Sequence, residues 1–241
     1  MAGHSKWKNI QHRKGAQDAK KGKIFQKLSK EIYQAAKDGG TDPDTNAALR
    51  LAVDKAKANN MPNDNVDRAI KRATDSGQGA DYKEVLYEGY GPSGIAVLVY
   101  ALTDNLNRSS TNIRVAFDRN GGSMGEKGTV NYMFDRKGYI AISRENLDLD
   151  EDDMLMQVLE AGGEDLETSD EVFEIYTEAT DFAKVRDALK EAGFELDQSE
   201  LTMIPQTTVP VPEDKVSVFE KLIDALEDDD DVSDVYHNAD I

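Results

Sequence analysis

The chain has 241 residues, no cysteine, 39% hydrophobic and 32% charged residues, and a formal net charge of −18. Disulfides, a thiol nucleophile and Cys-ligated zinc are therefore excluded, and no apolar run approaches the ~20 residues of a membrane-spanning helix. The charge is segregated. Residues 1–30 hold nine Lys or Arg against one acid, Asp18; residues 1–80 hold sixteen basic and nine acidic; the remainder holds thirteen basic and thirty-eight acidic. A cationic end on an acidic chain offers that end to a polyanion, a footprint the whole-chain charge conceals.

In chain order, 1–22 has almost no apolar periodicity and is expected to order only on a partner. It has no apolar h-region of a secretory signal, and its Lys-dominated composition differs from an Arg- and Ser-rich transit peptide, so the cytoplasm is the expected location. A helix follows, with Phe25, Leu28, Ile32 and Ala35 on one stripe and Lys23, Lys27 and Lys30 off it. Asp44 or Thr45 is expected to cap a second helix, which carries Leu49, Ala52, Val53 and Ala56 on one side and Arg50 and Lys57 on another. A third helix turns Val66, Ala69, Ile70 and Ala73 inward and Arg68, Lys71 and Arg72 outward. Gly77 and Gly79 close this small helical domain, expected over 1–80.

From Glu84 the period changes. Strands are expected at 85–87 and 95–100, a helix over 107–118, a strand over 129–134 and a turn at 135–138. The next stretch reads β-α-β-β-α-β, the split βαβ order of ferredoxin-like domains. A linker at 205–212, a helix over 213–226 and a strand over 232–236 remain. The leftover helix and strand predict a discontinuous middle domain, 81–134 plus 206–241, interrupted by an inserted domain, 135–205. The expected class is α+β, with a basic three-helix domain and two ferredoxin-like-type α/β domains, one inside the other.

Several strings resemble catalytic motifs and lack the required context. Gly89, Gly91 and Gly94 spell G-x-G-x-x-G, but a strand follows where a dinucleotide site needs a helix. Gly121, Ser123 and Gly125 spell G-x-S-x-G in helix-then-strand order, the reverse of a nucleophile elbow. Asp148, Asp150 and Asp152 open like a calcium loop, but Asp153 and Leu159 stand where Gly and Glu are needed. His4, His12 and His237 lack metal spacing, and the acidic run 227–231 reads as a solvated face. No nucleophile, base and orienter assemble, so no enzyme, metal or cofactor is expected.

The basic residues pass this filter. Lys6, Lys8, Arg13, Lys14, Lys20, Lys21, Lys23 and Lys27 are candidate phosphate contacts, with His12 beside them and Arg50, Lys57, Arg68, Lys71 and Arg72 extending the patch. Trp7, between two lysines, either stacks on a base or anchors the tail to the helical domain. No helix carries Asn, Gln or Arg at base-reading spacing, so intrinsic sequence specificity is expected to be low.

The chain also resembles a known family. Met1-Ala2-Gly3-His4-Ser5-Lys6-Trp7, His12-Arg13-Lys14 and Gly22-Lys23-Ile24-Phe25 are similar to the opening of YebC proteins. Leu49 to Ala56, Asn59-Asn60-Met61-Pro62, Tyr87-Glu88-Gly89-Tyr90-Gly91-Pro92 and Thr103-Asp104-Asn105 are similar to later blocks. Ser109-Ser110 and Ser123-Met124 depart from the usual residues. The family includes bacterial YebC and PmpR proteins and the mitochondrial translational activator of cytochrome oxidase, and the opening without a presequence resembles the bacterial members. The resemblance implies three domains around a central cavity, no enzymatic activity, and DNA-binding transcriptional regulation. Some members are described instead as translation factors that relieve ribosome stalling at proline-rich stretches, which would make ribosomal RNA the partner. A monomer is expected, with a protein partner conceivable through the acidic domains and no membrane association.

Overall fold

The computed structural model describes Trp7 and residues 21–75, 80–145 and 147–241. Three helices open the described chain: α1 (Lys21–Gly39), α2 (Ala47–Ala58) and α3 (Asn63–Thr74). Leu28, Ile32 and Ala36 of α1 meet Leu49, Ala52, Val53 and Ala56 of α2 and Val66 and Ala69 of α3 in one apolar core. Each fully buried Leu or Ile there contributes roughly 1.5–3 kcal/mol. The cap of α2 is Asn46, not Asp44 or Thr45. Its side-chain oxygen accepts from the Leu49 N–H at 3.0 Å, and its amide donates to the Ala35 and Gly40 carbonyls. An amide can do both, closing the cap and stitching the turn to α1; a carboxylate cannot donate.

The middle domain begins with a hairpin, β1 (Lys83–Tyr90) and β2 (Ala96–Thr103), paired from Lys83↔Thr103 to Tyr90↔Ala96. Helix α4 (Leu106–Arg119) follows, capped by the Asn105 side chain on the Arg108 N–H. A two-residue strand β3 (Ser123–Met124) pairs with β1. Gly89 is dictated by packing: a Cβ there would meet the Ser123 carbonyl at 2.6 Å and the Phe117 ring at 2.9 Å. The G-x-G-x-x-G string is thus a hairpin with a short helical turn at Pro92–Gly94.

The expected strand over 129–134 does not form. The Glu88 carboxylate, only 2% exposed, accepts from the N–H groups of Gly128, Val130 and Asn131 at 2.7–2.8 Å. With its donors taken by a side chain, the segment is a loop ending in a helical turn at Asn131–Met133. The expected turn at 135–138 lies instead within strand β4 (Phe134–Ser143). Its polar residues mislead: Lys137 pairs with Glu164 and Glu178 on the sheet surface, and Gly138 leaves room for Thr177 and Phe182.

The inserted domain runs β4, α5 (Glu151–Ala161), β5 (Asp165–Thr168), β6 (Val172–Glu178), α6 (Phe182–Glu191) and β7 (Gln198–Pro205). Its sheet order is β5-β6-β4-β7, antiparallel throughout, as the split βαβ pattern requires. Ile140, Ile142, Phe173 and Ile175 pack against Met154 and Val158 of α5 and Val185 and Leu189 of α6. Asp150 caps α5 by accepting from the Asp153 N–H.

The chain then returns to the middle domain. The stretch expected as a linker carries strand β8 (Val209–Pro210), which pairs in parallel with β10 (Ala239–Asp240). Between them lie α7 (Glu213–Glu227) and β9 (Val232–His237), and β9 joins β2 to give the order β3-β1-β2-β9. Ile113 and Phe117 of α4 and Phe219, Leu222 and Leu226 of α7 cover one face. The layer resembles the inserted domain's, but it opens with a hairpin, so the connections differ. Compactness divides the molecule into two units: Met133–Thr208, to which Trp7 belongs, and the helical domain together with the middle domain and Val209–Ile241.

Candidate nucleic-acid interface

Lys23, Lys27 and Lys30 follow one another at four- and three-residue steps on α1 and so share one strip. That strip meets the end of α7. Lys27 Nζ donates to the Glu227 carbonyl at 2.5 Å, Lys23 to the Asp228 carbonyl at 3.3 Å, and Lys30 to the Asp230 carbonyl at 2.8 Å. A helix C-terminus leaves carbonyls without intrahelical donors and carries partial negative charge, which cations from another element satisfy. Burial pushes the Lys27 ammonium below its ordinary value, and the carboxylates of Glu227, Asp229, Asp230 and Asp234 only partly offset this.

Two further cations finish the seam. Lys55 on α2 bonds Glu31 of α1 at 3.0 Å and Asp234 of β9 at 2.8 Å. Burial opposes its charge, but the flanking Asp234 and Glu31 carboxylates outweigh it and hold the ammonium above its ordinary value. Burial raises Glu31 in turn, more than Lys55 lowers it. Asp231, 3% exposed, takes two bonds from the Arg108 guanidinium end and one from its Nε, at 2.7–3.0 Å, with Lys30 at 3.6 Å. The run 227–231 is therefore not simply a solvated face; it is the landing of the helical domain's lysines. Among the described residues, no group of three or more His, Asp or Glu is placed to hold a metal ion.

The other expected contacts face solvent. Arg50 and Lys57 are exposed on α2, and Arg68, Lys71 and Arg72 on α3. Arg50 donates to the Asp44 carbonyl and Arg68 to Asn65 Oδ1, while Arg72 lies 5.8 Å from the centre of the Tyr33 ring. Lys71 and Arg72 occupy the last turn of α3 and Asp64 the first, an arrangement that also suits the helix dipole. Lys21, at the exposed start of α1, has an interaction partner of its own. Lys6, Lys8, His12, Arg13, Lys14 and Lys20 lie outside the described residues, as does the expected ordering of the tail on a partner.

Trp7 matches neither expectation. It is 8% exposed and packs on Tyr139, Ala141 and Val172, with Tyr176 beside them. It rests on the sheet of the inserted domain, not on the helical domain, and its ring is not presented for stacking. Below it the Tyr139 hydroxyl donates to Glu174 Oε1 at 2.7 Å. Lys30, Lys55 and Arg108 escaped the sequence reading as organisers of this region. The available signal was a strip of lysines on α1 facing no apolar stripe, together with an acidic run of matching size.

A basic three-helix module joined to two antiparallel α/β layers, one interrupting the other in sequence, defines a multidomain α+β protein. Among the described residues no helix is long and apolar enough to cross a bilayer. Residues 5–76 match the TACO1/YebC N-terminal domain and residues 82–239 its second and third domain. The chain belongs to the TACO1/YebC family. A probable transcriptional regulatory protein of Enterococcus faecalis is 67% identical over 239 residues, covering 99% of each chain. A protein of the same description from Ligilactobacillus salivarius is 64% identical over 240 residues, covering 100% of this chain and 98% of its own. The crystal structure of Aq1575, a conserved hypothetical protein of Aquifex aeolicus, superposes with a TM-score of 0.79 at 39% identity, covering 92% of this chain and 91% of that one.

Proposed function

We propose that this chain is a nucleic-acid-binding regulator of transcription in the cytoplasm, holding the DNA backbone with its helical domain and basic N-terminal tail. The observation that carries the reading is the exposure of Arg50, Lys57, Arg68, Lys71 and Arg72, while the neighbouring lysines of α1 are consumed internally. The description of the relatives as probable transcriptional regulatory proteins supports the same reading. Lys6, Lys8, Arg13, Lys14 and Lys20 enter it on charge alone. Phosphate contacts of this kind position a protein without reading sequence, so intrinsic specificity is low. No catalytic step is part of the reading. The G-x-S-x-G serine pairs within the sheet opposite Tyr90, and the G-x-G-x-x-G string is a hairpin.

The test is the affinity of the full chain for a fluorescent duplex across a salt series. About six neutralised phosphates give a log–log slope near −5. An affinity indifferent to salt, or unchanged when the exposed cations and the Lys6/Lys8/Arg13/Lys14 group are replaced by alanine, overturns the proposal. Ribonuclease-sensitive sedimentation with ribosomes, without duplex binding, replaces DNA by ribosomal RNA as the partner.

A further inference from the structure

The outer face of α5 is built unlike any other helix face described. Met154, Val158 and Ala161 point into the inserted domain's core, which is what an amphipathic helix needs. The opposite side should then be polar. Instead Leu155, Met156 and Leu159 stand 36%, 59% and 57% exposed, and Leu159 lies four residues from Leu155 and three from Met156, the spacings that join all three into one stripe. The other large exposed apolar side chains do not form such a group: Leu106 and Val115 are nine residues apart on α4, and Tyr132 and Ile241 are isolated in sequence. The stripe is ringed by Glu151, Asp152, Asp153 and Glu160, and α5 carries no basic residue. The surrounding unit, Met133–Thr208, holds twenty-one acidic and six basic residues.

We propose that this face docks a cationic amphipathic helix of a partner protein. Apolar residues at helical spacing bury against a matching stripe, and the adaptable Met side chain tolerates variation in the partner. The carboxylate ring selects Lys and Arg at the partner's flanks and rejects nucleic acid. A second copy of this chain fits poorly. Placing α5 against α5 would bring eight carboxylates together. The exposed cations on α3, Arg68, Lys71 and Arg72, have no exposed large apolar neighbour on their helix to meet the stripe. The stripe shares no residue with the cations proposed to hold DNA, so the two proposals stand or fall separately.

The probe is a synthetic Leu/Lys amphipathic helical peptide, compared with an isomer of the same composition whose leucines are scrambled, titrated against the labelled full chain at physiological salt. The native chain is expected to prefer the striped peptide. L155S/M156S/L159S is expected to lose about tenfold in affinity for it, with an unchanged duplex affinity and only a small fall in melting temperature, from the lower helix propensity of serine and the partial burial of Leu155. D152N/D153N/E160Q, with its apolar stripe intact, is expected to weaken binding and flatten its salt dependence. Equal binding of both peptides, or undiminished binding by the serine variant, shows diffuse charge attraction and overturns the proposal. A dimer in sedimentation that the serine variant abolishes assigns the stripe to a second copy and overturns it as well.

Discussion

Two sets of cations in one small helical domain meet opposite fates. On α1, Lys23, Lys27 and Lys30 turn toward the end of α7 and satisfy carbonyls there, and Lys55 sits between Glu31 and Asp234. On α2 and α3, Arg50, Lys57, Arg68, Lys71 and Arg72 remain at the surface. Both sets are cations on amphipathic helices; what differs is whether another element brings oxygen acceptors to meet them. A count of basic residues therefore overstates the charge offered to a polyanion. The consumed set ties the helical domain to the middle domain, and the exposed set is the one proposed to hold DNA.

The largest effect is expected where a buried acid organises the seam. Asp231→Ala strips Arg108 of its bidentate partner and Lys30 of its neighbour, and should cost about 2–3 kcal/mol in chemical denaturation, less than for a fully buried pair because the Arg108 side chain is half exposed. A loss below ~0.5 kcal/mol would mean the seam contributes little. Lys55→Met leaves Glu31 and Asp234 facing each other without a cation. Because Lys55 is one-third exposed, solvent screening reduces the expected loss to about 2 kcal/mol, and the further change Asp234→Asn should restore part of it.

Glu88 sharpens the comparison by showing an acid held by backbone instead of cations. Burial works against its charge, but the three N–H donors prevail and keep the carboxyl below its ordinary value. The sign follows: with the folded value below the unfolded one, the contribution is complete above the usual glutamate range near ~4.3 and is lost as pH falls through the folded value. Glu88→Gln should cost about 1–2 kcal/mol at neutral pH, and the gap to the native protein should close in acid. A gap that persists unchanged in acid would show that the loss does not come from the carboxylate's charge.

The smallest expected change concerns Trp7, the only tryptophan. Its burial against Tyr139 and Val172 predicts blue-shifted emission that does not move when duplex DNA is added. Quenching on titration would show that the ring leaves the sheet to stack on bases.

The helices and most strands were legible because their apolar periods are strong. Leu49, Ala52, Val53 and Ala56 are all buried as spaced, and the β-α-β-β-α-β order folds as read. The segments at 129–134 and 135–138 were not legible. In the first, a carboxylate forty residues away takes the donors a neighbouring strand would use; in the second, a polar run lies on a sheet surface whose ion pairs come from β6 and Glu164. The candidate site was half legible. Helical spacing separated Arg50 and Lys57 from the core. Nothing local revealed that Lys23 and Lys27 would meet carbonyls two hundred residues on, or that Trp7 would rest on the inserted sheet. Such pairings are set by tertiary packing, which local pattern does not contain.

The most direct measurement is a pair of salt titrations on duplex DNA, one with Lys57, Lys71 and Arg72 replaced by alanine and one with Lys23, Lys27 and Lys30 replaced. The division of labour predicts that the first variant keeps its melting temperature while its log–log slope becomes shallower by about 3. The second should keep the native slope and melt at lower temperature. The account is contradicted if removing Lys23, Lys27 and Lys30 flattens the slope while removing the exposed cations leaves it untouched.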